Sequence, residues 1–344
     1  MAESKILSST NNSGITPKKS ERIPELDAIR AILILYIVGF WHLLQYSSIP
    51  SFYNNFITNF ITHCALGGFT FISAFLLGYR YEFNSFNDIK HFFIFRFFRI
   101  YPLFIATLSG FLLFKLIDQK TFIISAFLLN MILDVRLLTL WYVTMILLFY
   151  LLVPFLLYKY NAKKIIVFST IGFLILTLLY WKTSLISPRL LYYSPIFVFG
   201  LIVSRAKKLQ EMLANYKILT ISLFILAIVF SLFHIRESLH WSINVLVIAF
   251  GIFASLPAIW ALGKLSVTIF NQNIIKLVSY SSFCMYLTHR IILLGVNYYK
   301  PTSPLLSYLY LLCVWLPLIV LISYFVQRYY DLAVKKIMPS KVST

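Results

Sequence analysis

The chain has 344 residues, of which 60% are hydrophobic and only 12% are charged, whereas soluble domains usually contain roughly 45–50% apolar and about 25% charged residues. This composition excludes an ordinary soluble domain and indicates a membrane protein. The formal net charge of +19 does not indicate nucleic-acid binding, because Lys and Arg punctuate the hydrophobic runs and do not gather on one water-facing surface.

The start of the chain is polar and lacks the apolar core and the small-residue cleavage site of a signal peptide. We expect residues 1–24 to form a flexible cytosolic tail. Residues 25–331 are expected to form one membrane domain, followed by a second cytosolic tail at 332–344.

Apolar runs long enough to cross a hydrocarbon core of roughly 30 Å recur along the chain. They predict an all-α, polytopic membrane bundle of about ten helices. Residues 121–135 are not counted as a span, because this short segment carries Asn130 and Asp134 and is better explained as a re-entrant or interfacial piece. The predicted spans lie near residues 29–47, 60–79, 100–117, 139–158, 165–182, 189–204, 218–235, 241–262, 279–298 and 304–328.

The basic residues favour this topology with both termini in the cytoplasm. Inside segments then hold 21 of the 30 Lys and Arg residues and outside segments hold six, as the positive-inside rule requires. An eleventh helix at 121–135 would turn Lys159, Lys163 and Lys164 outward and reverse every later loop.

Ionisable side chains inside a span are costly unless they are paired or face water, so they are candidates for function. Arg30 lies one turn into the first span, where it could also extend to the lipid headgroups. His42 lies about 18 Å farther along the same helix and could alternatively be a helix–helix hydrogen-bonding residue. His289 and Arg290 fall near the middle of the ninth span, in a functional site or a structural hydrogen-bond network.

A second group of cations lies in NDIKHFFIFRFFRIYP, residues 87–102. Arg96 and Arg99 are three residues apart and face the same way on a helix. Two guanidinium groups of this kind suit phosphate, which they bind bidentately. The alternative is an interfacial helix that rests on anionic lipid headgroups.

No metal site or disulfide framework is expected, because Cys64, Cys284 and Cys313 are widely spaced in apolar segments. The residues alone leave three functional classes open. These are a membrane enzyme, a secondary transporter or flippase with an intramembrane Arg/His site, and a non-catalytic scaffold, which would leave the buried Arg and His residues unexplained.

Six stretches, taken in order, give the chain a family resemblance from Arg22 to about Asp331. It resembles the acyltransferase-3 family of membrane-bound O-acyltransferases. The resemblance implies transfer of an acyl group, commonly acetyl from acetyl-CoA, to a hydroxyl of a cell-surface glycan or lipid-linked sugar at a bacterial plasma (inner) membrane. The stretches are RIPELDAIRAI, the helix that ends in His42, GGFTFISAFLLG, FRFFRIYP, LWYVTMILLFYLLVP and SYSSFCMYLTH.

Residue roles follow from the resemblance motif by motif. His42 and Arg30 match the histidine and arginine of the first helix, and His42 is expected to be the general base. Arg96 and Arg99, in the R-x-x-R motif, are expected to bind the phosphates of acyl-CoA on the cytoplasmic side, and Arg30 is a third candidate for this contact. The remaining polar candidates are Ser73, His289 and Arg290.

Two departures from the family pattern bear on these roles. The acidic residues that many members carry between Trp141 and Pro154 are replaced here by Ile146 and Leu147, which excludes a glutamate role at those positions. Eleven residues separate Arg30 from His42 where the family typically has ten, so a regular helix would aim the two side chains about 120° apart. We therefore predict an i→i+5 bulge or a kink between about Tyr36 and Trp41, with Gly39 as the permissive residue.

Overall fold

The computed structural model describes residues 22–47, 54–235, 240–298 and 301–337. Within these ranges the chain is almost entirely helical, and the β-structure is a single isolated bridge between Phe83 and Tyr158. The helices are α1 (Pro24–Tyr46), α2 (Phe56–Arg80), α3 (Phe86–Leu113), α4 (Gln119–Ala126), α5 (Trp141–Leu157), α6 (Ala162–Thr183), α7 (Pro188–Val203), α8 (Lys207–Leu213), α9 (Tyr216–His234), α10 (Trp241–Ile269), α11 (Gln272–Leu293) and α12 (Pro304–Ile337).

The predicted all-α polytopic bundle is confirmed, and each of the ten predicted spans coincides with one helix. Eight of these helices are long and apolar enough to cross a membrane by themselves. The other two are α5, with 17 residues, and α7, with 16 residues. The count of ten crossings and the cytoplasmic position of the termini therefore stay predictions. Residues 1–21 and 338–344, which hold most of both predicted tails, lie outside the described residues.

We call the end of the bundle at which α1 begins the proximal end, and the opposite end the distal end. Successive long helices run in opposite directions, so α2 ends and α3 begins at the proximal end. The backbone N–H of Lys159 donates to the carbonyl oxygen of Phe83 at 2.9 Å, which brings the end of α5 to this end as well.

The third span begins earlier than the sequence pattern predicted. Helix α3 starts at Phe86, where Ser85 and Asp88 form a reciprocal capping box. It ends at Leu113, and Lys115 follows with a φ of 56°, so Lys115 lies beyond the helix and not inside a span as expected. The R-x-x-R pair consequently lies well inside a continuous helix.

The segment around residues 121–135, which we call the re-entrant segment, folds back along α3. Helix α4 has only eight residues, and the hydroxyl of Tyr101 donates to the carbonyl oxygen of Ala126 at its end, at 2.8 Å. Tyr101 lies twelve residues, or about 18 Å, from the distal end of α3, so the chain has entered the bundle by Ala126. It turns at Leu128, which has a φ of 61°, and buries Asn130 completely.

The tightest helix pair in the bundle is α2 against α7, where glycine permits close approach. A Cβ atom built on Gly200 would lie 2.6 Å from the carbonyl oxygen of Phe71 and 2.8 Å from the Cβ of Ala74. Gly172 on the peripheral helix α6 is the opposite case, since no atom would lie within 4 Å of its added Cβ.

These two glycines allow a matched test of the α2–α7 contact. We expect Gly200→Ala to destabilise the protein by about 1–3 kcal/mol through overpacking, because the obstructing atoms belong to the backbone and Cβ of α2. Gly172→Ala should be neutral or stabilising by up to about 1 kcal/mol, since Ala is the better helix former. Thermal unfolding of the two detergent-solubilised variants measures the difference. Equal unfolding midpoints would show that the close α2–α7 contact does not determine the stability of the protein.

Candidate active site

Helix α1 changes its hydrogen-bonding pattern before it reaches His42. Residues Leu35–His42 form a π-helix, and Leu43–Tyr46 form a final turn of 3₁₀-helix. The N–H of Leu43 points to the carbonyl oxygen of Val38, five residues back. The bulge predicted from the extra residue between Arg30 and His42 is therefore confirmed, and π segments of this kind are often found at functional sites.

Gly39 contributes to this segment by its small size and not by an unusual backbone conformation. None of the glycines in the described part of the chain has a positive φ. A Cβ atom on Gly39 would lie 3.1 Å from the side chain of Leu316, so glycine is what lets α12 approach the π-helix. Leu316 itself follows a second π segment, Leu311–Trp315.

The π-helix delivers His42 to a pair of stacked imidazoles, which we call the histidine pair. The rings of His42 and His289 lie 4.8 Å apart, with 8° between their planes. The Nδ1 of His289 lies 3.0 Å from the carbonyl oxygen of Met285. A carbonyl only accepts, so this nitrogen carries the proton and Nε2 of His289 presents a lone pair. That Nε2 is buried without a hydrogen-bond partner, as is Nδ1 of His42.

Arg290 lies beside the histidine pair on the same helix, α11. Its Nη2 approaches the side-chain oxygen of Gln45 at 3.4 Å, a long contact to a neutral group, and its Nε is buried without a partner. The prediction that His289 and Arg290 mark a buried polar site agrees with this environment. Gln45, in the last turn of α1, was not singled out from the sequence.

Tyr286 connects the histidine pair to the stretch of chain just before α5. Its ring lies 6.0 Å from that of His289, and its hydroxyl donates to the carbonyl oxygen of Thr139 at 2.6 Å. Both amide atoms of the fully buried Asn130 and the hydroxyl of Thr139 have no partner. Unpaired polar atoms are rare in a protein interior, so three of them on these two residues are unusual.

A second cluster lies toward the proximal end and consists of four arginines, which we call the basic cluster: Arg30, Arg80, Arg96 and Arg99. Arg96 is central. Its guanidinium lies 5.2 Å from the ring centre of Tyr81 and 5.4 Å from that of Tyr150, and the other three arginines are all within electrostatic range of it. The Nε atoms of Arg80 and Arg96 are buried without a partner.

The basic cluster lacks counter-ions. The two nearby carboxylates are engaged elsewhere: Asp27 binds Arg22 and accepts from Ser279 at 2.8 Å, and Asp331 accepts from Tyr280 and Gln327. Among the described residues no carboxylate lies within 4 Å of any of the four guanidinium groups. Asp27 and Asp331 therefore act on the cluster only from a distance, and four like charges without a contacting carboxylate suit a polyanion.

The predicted site residues thus fall into two groups. His42, His289 and Arg290 come together, and Arg30 joins Arg96 and Arg99. Ser73 is half-buried on α2, and among the described residues no side-chain hydrogen bond links it to either group. Arg80 is the member of the basic cluster that sequence reasoning missed, because a basic residue at the end of a span is also what membrane topology alone requires.

Metal chemistry was not expected, and within the described residues no three His, Cys, Asp or Glu side chains are grouped to hold an ion. The comparison with known families then decides the identity. The family model described as an acyltransferase domain matches residues 23–326. The chain belongs to the acyltransferase-3 family. Searches among curated proteins and among solved structures gave no significant match.

The match covers all the residues of the histidine pair and the basic cluster. This acyltransferase is a multi-pass membrane protein by its helices and its family. Ile146 and Leu147, which stand where many members are acidic, are both buried in the hydrophobic core. Any acid–base chemistry must therefore come from other side chains, and the unpaired imidazole nitrogens are available for it.

The π-helix predicts an unusual tolerance to deletion. Removing Val38 restores the ten-residue interval and lets the helix return to α-form, so the protein should fold and retain substantial transferase activity. Removing Ile72, an equally buried residue in the regular helix α2, should abolish folding, because everything beyond it rotates by about 100°. Size-exclusion chromatography and transferase assays of the two variants measure the difference. Aggregation of both variants would contradict the interpretation that the π-helix accommodates one inserted residue.

Proposed function

We propose that this acyltransferase moves an acyl group, most simply acetyl, from acyl-CoA to a hydroxyl of a cell-surface glycan or lipid-linked sugar. The observation that carries the proposal is a stacked histidine pair with free nitrogens in the same bundle as four uncompensated arginines. The first supplies a base for a hydroxyl, and the second supplies a site for the phosphates of a donor. The proposed place of action is the inner membrane of a bacterium.

The basic cluster fits the donor by charge. CoA carries several phosphate charges, and guanidinium groups bind phosphate oxygens through paired N–H donors. Cations left unpaired inside a bundle are costly, so a bound polyanion stabilises a cluster that the protein itself does not neutralise. The basic residues of the chain favour a cytoplasmic proximal end, which is the side on which acyl-CoA is made available.

The separation of the two clusters fits the shape of the donor. His42 follows Arg30 by twelve positions on α1, a distance of at most about 18 Å along the helix. An extended pantetheine arm has a comparable length, so phosphates in the basic cluster would leave the thioester near the histidine pair. The acceptor would then approach from the distal end, and donor and acceptor would meet inside the membrane.

The chemistry needs one base and one electrophilic group. His42 accepts the proton of the acceptor hydroxyl while its oxygen attacks the thioester carbonyl carbon. The tetrahedral intermediate collapses as the carbon–sulfur bond breaks, the CoA thiolate leaves, and the proton passes from His42 to the sulfur. We assign to Nε of Arg290 the stabilisation of the oxyanion. His289 keeps the ring of His42 in a fixed plane by stacking.

The secondary-transporter alternative is not supported by the family match. An intramembrane Arg/His site occurs in both classes, but the match describes an acyltransferase domain. The test incubates membranes of a deletion strain and of its parent with labelled acetyl-CoA and compares their acylated surface glycans. This comparison tests both the donor and the acceptor.

Loss of the base should stop the reaction and leave the protein folded. We expect His42→Ala to lower acyl transfer in membranes by at least about 100-fold, in the range that general bases contribute. Expression and thermal stability should stay close to those of the parent. His240→Ala, at the exposed start of α10, is the matched control and should keep full activity. Full activity of His42→Ala would remove this residue from the mechanism.

The basic cluster should determine donor binding. Arg80→Ala and Arg96→Ala should each weaken acyl-CoA binding about tenfold or more, as expected for the loss of a charged hydrogen bond of roughly 1.5–3 kcal/mol. Lys at either position should restore binding only in part, because it lacks the planar fork. Arg136→Ala, at the distal end, serves as the control. Donor affinities that do not change would indicate that these arginines bind lipid headgroups instead.

A further inference from the structure

A large apolar cavity lies between α5, α6 and α7, away from both clusters. Its volume is about 790 Å³, within the roughly 300–1,000 Å³ of typical ligand sites. Phe149 and Phe155 of α5, Phe173 of α6 and Phe197 of α7 contribute to its wall. None of the four arginines of the basic cluster and neither member of the histidine pair lines it, so the proposed reaction leaves this space unused.

The cavity exists because α6 stands away from the rest of the bundle. Only 6% of its apolar stretch is buried inside the protein. Gly172 lies at the middle of the helix and faces the cavity, and an added Cβ there would meet no atom within 4 Å. A gap of this size in a membrane protein is filled by lipid. The polar atoms on its wall indicate where the headgroup, the ester carbonyls and the acyl chains of that lipid lie.

Two of those polar atoms are serine hydroxyls. Ser169 of α6 and Ser194 of α7 both line the cavity, and the hydroxyl of each is buried without a hydrogen-bond partner. A donor left unsatisfied among hydrocarbon costs free energy. Both hydroxyls need an acceptor that the protein does not supply, such as the carbonyl oxygen of an ester.

A cation lies on the wall of the cavity toward its proximal side. Nζ of Lys164 donates to the carbonyl oxygen of Tyr158 at 3.2 Å, which uses one of its three N–H donors. Within the described part of the chain no carboxylate lies within 4 Å of this ammonium. Lys164 precedes Ser169 by five residues, or about 7.5 Å of helix.

The order along the cavity is therefore a cation, then hydroxyl donors, then a purely apolar wall. A phosphate, ester carbonyls and hydrocarbon chains follow one another in the same order in a glycerophospholipid. We propose that the cavity binds one anionic glycerophospholipid, with its phosphate at Lys164, an ester carbonyl at Ser169 and Ser194, and an acyl chain beside Gly172. Basic pockets between helices are known to hold anionic headgroups in this way.

Native mass spectrometry of the purified, delipidated protein tests the site with dioleoyl phosphatidylglycerol as the probe and dioleoyl phosphatidylcholine as the neutral comparison. We expect one phosphatidylglycerol to be retained per chain at concentrations that leave phosphatidylcholine unbound. Gly172→Trp, which fills the chain site, should reduce retention at least tenfold. Ile171→Trp places the same ring on the adjacent residue outside the cavity wall and should have no effect.

The headgroup contact has its own pair of variants. Lys164→Gln should lower the preference for phosphatidylglycerol over phosphatidylcholine several-fold, whereas Lys163→Gln, which is exposed and does not line the cavity, should preserve it. Retention that survives Gly172→Trp, equal binding of the two lipids by the parent protein, or displacement of phosphatidylglycerol by equimolar polyprenyl phosphate or long-chain acyl-CoA would each overturn the proposal.

Discussion

The fold is governed by the cost of keeping charged and polar groups unpaired among apolar helices. Among the described residues, three of the four arginines of the basic cluster are partly buried with no carboxylate within 4 Å, and the histidine pair is buried. Such groups are costly unless a ligand or water completes them. Their distribution is not random, since the cations gather toward the proximal end and the imidazoles near the distal end of α1 and α11. The proposed donor, a long molecule that is charged at one end and reactive at the other, rests on this distribution.

Irregular backbone surrounds the histidine pair and is sparse elsewhere. The π-helix of α1 leads into His42, residues Leu294–Tyr298 continue α11 as a 3₁₀-helix just after His289, and α12 carries its own π segment. Glycines fit these segments together. A Cβ on Gly295 would lie 2.5 Å from the ring of Trp315, much as Gly39 accommodates Leu316. Helix ends that depart from regular geometry can set ring positions that a straight helix would not reach.

Much of this arrangement could be predicted from the sequence because the relevant signals are local. Ionisable residues in apolar runs identify the histidine pair and three of the four arginines, and counting residues between Arg30 and His42 predicts the π-helix. The early start of α3 also had a local signal, since Ser85 and Asp88 form the capping-box pattern. The phenylalanine-rich run after it is also typical of an interfacial segment, and the sequence interpretation did not use the cap.

The remaining features depend on contacts between residues far apart in the chain. Tyr286 meets Thr139 across 147 positions, and Arg80 joins Arg96 only because the turn at Tyr81 folds α3 back along α2. Tyr286 and Arg80 could not be singled out from the sequence, because many residues of the same types in such helices have only a packing role. The re-entrant segment shows how the two levels combine: Asn130 marks it as unfit to cross the membrane, but only the fold shows that the segment lies beside Tyr101 of α3 and buries Asn130.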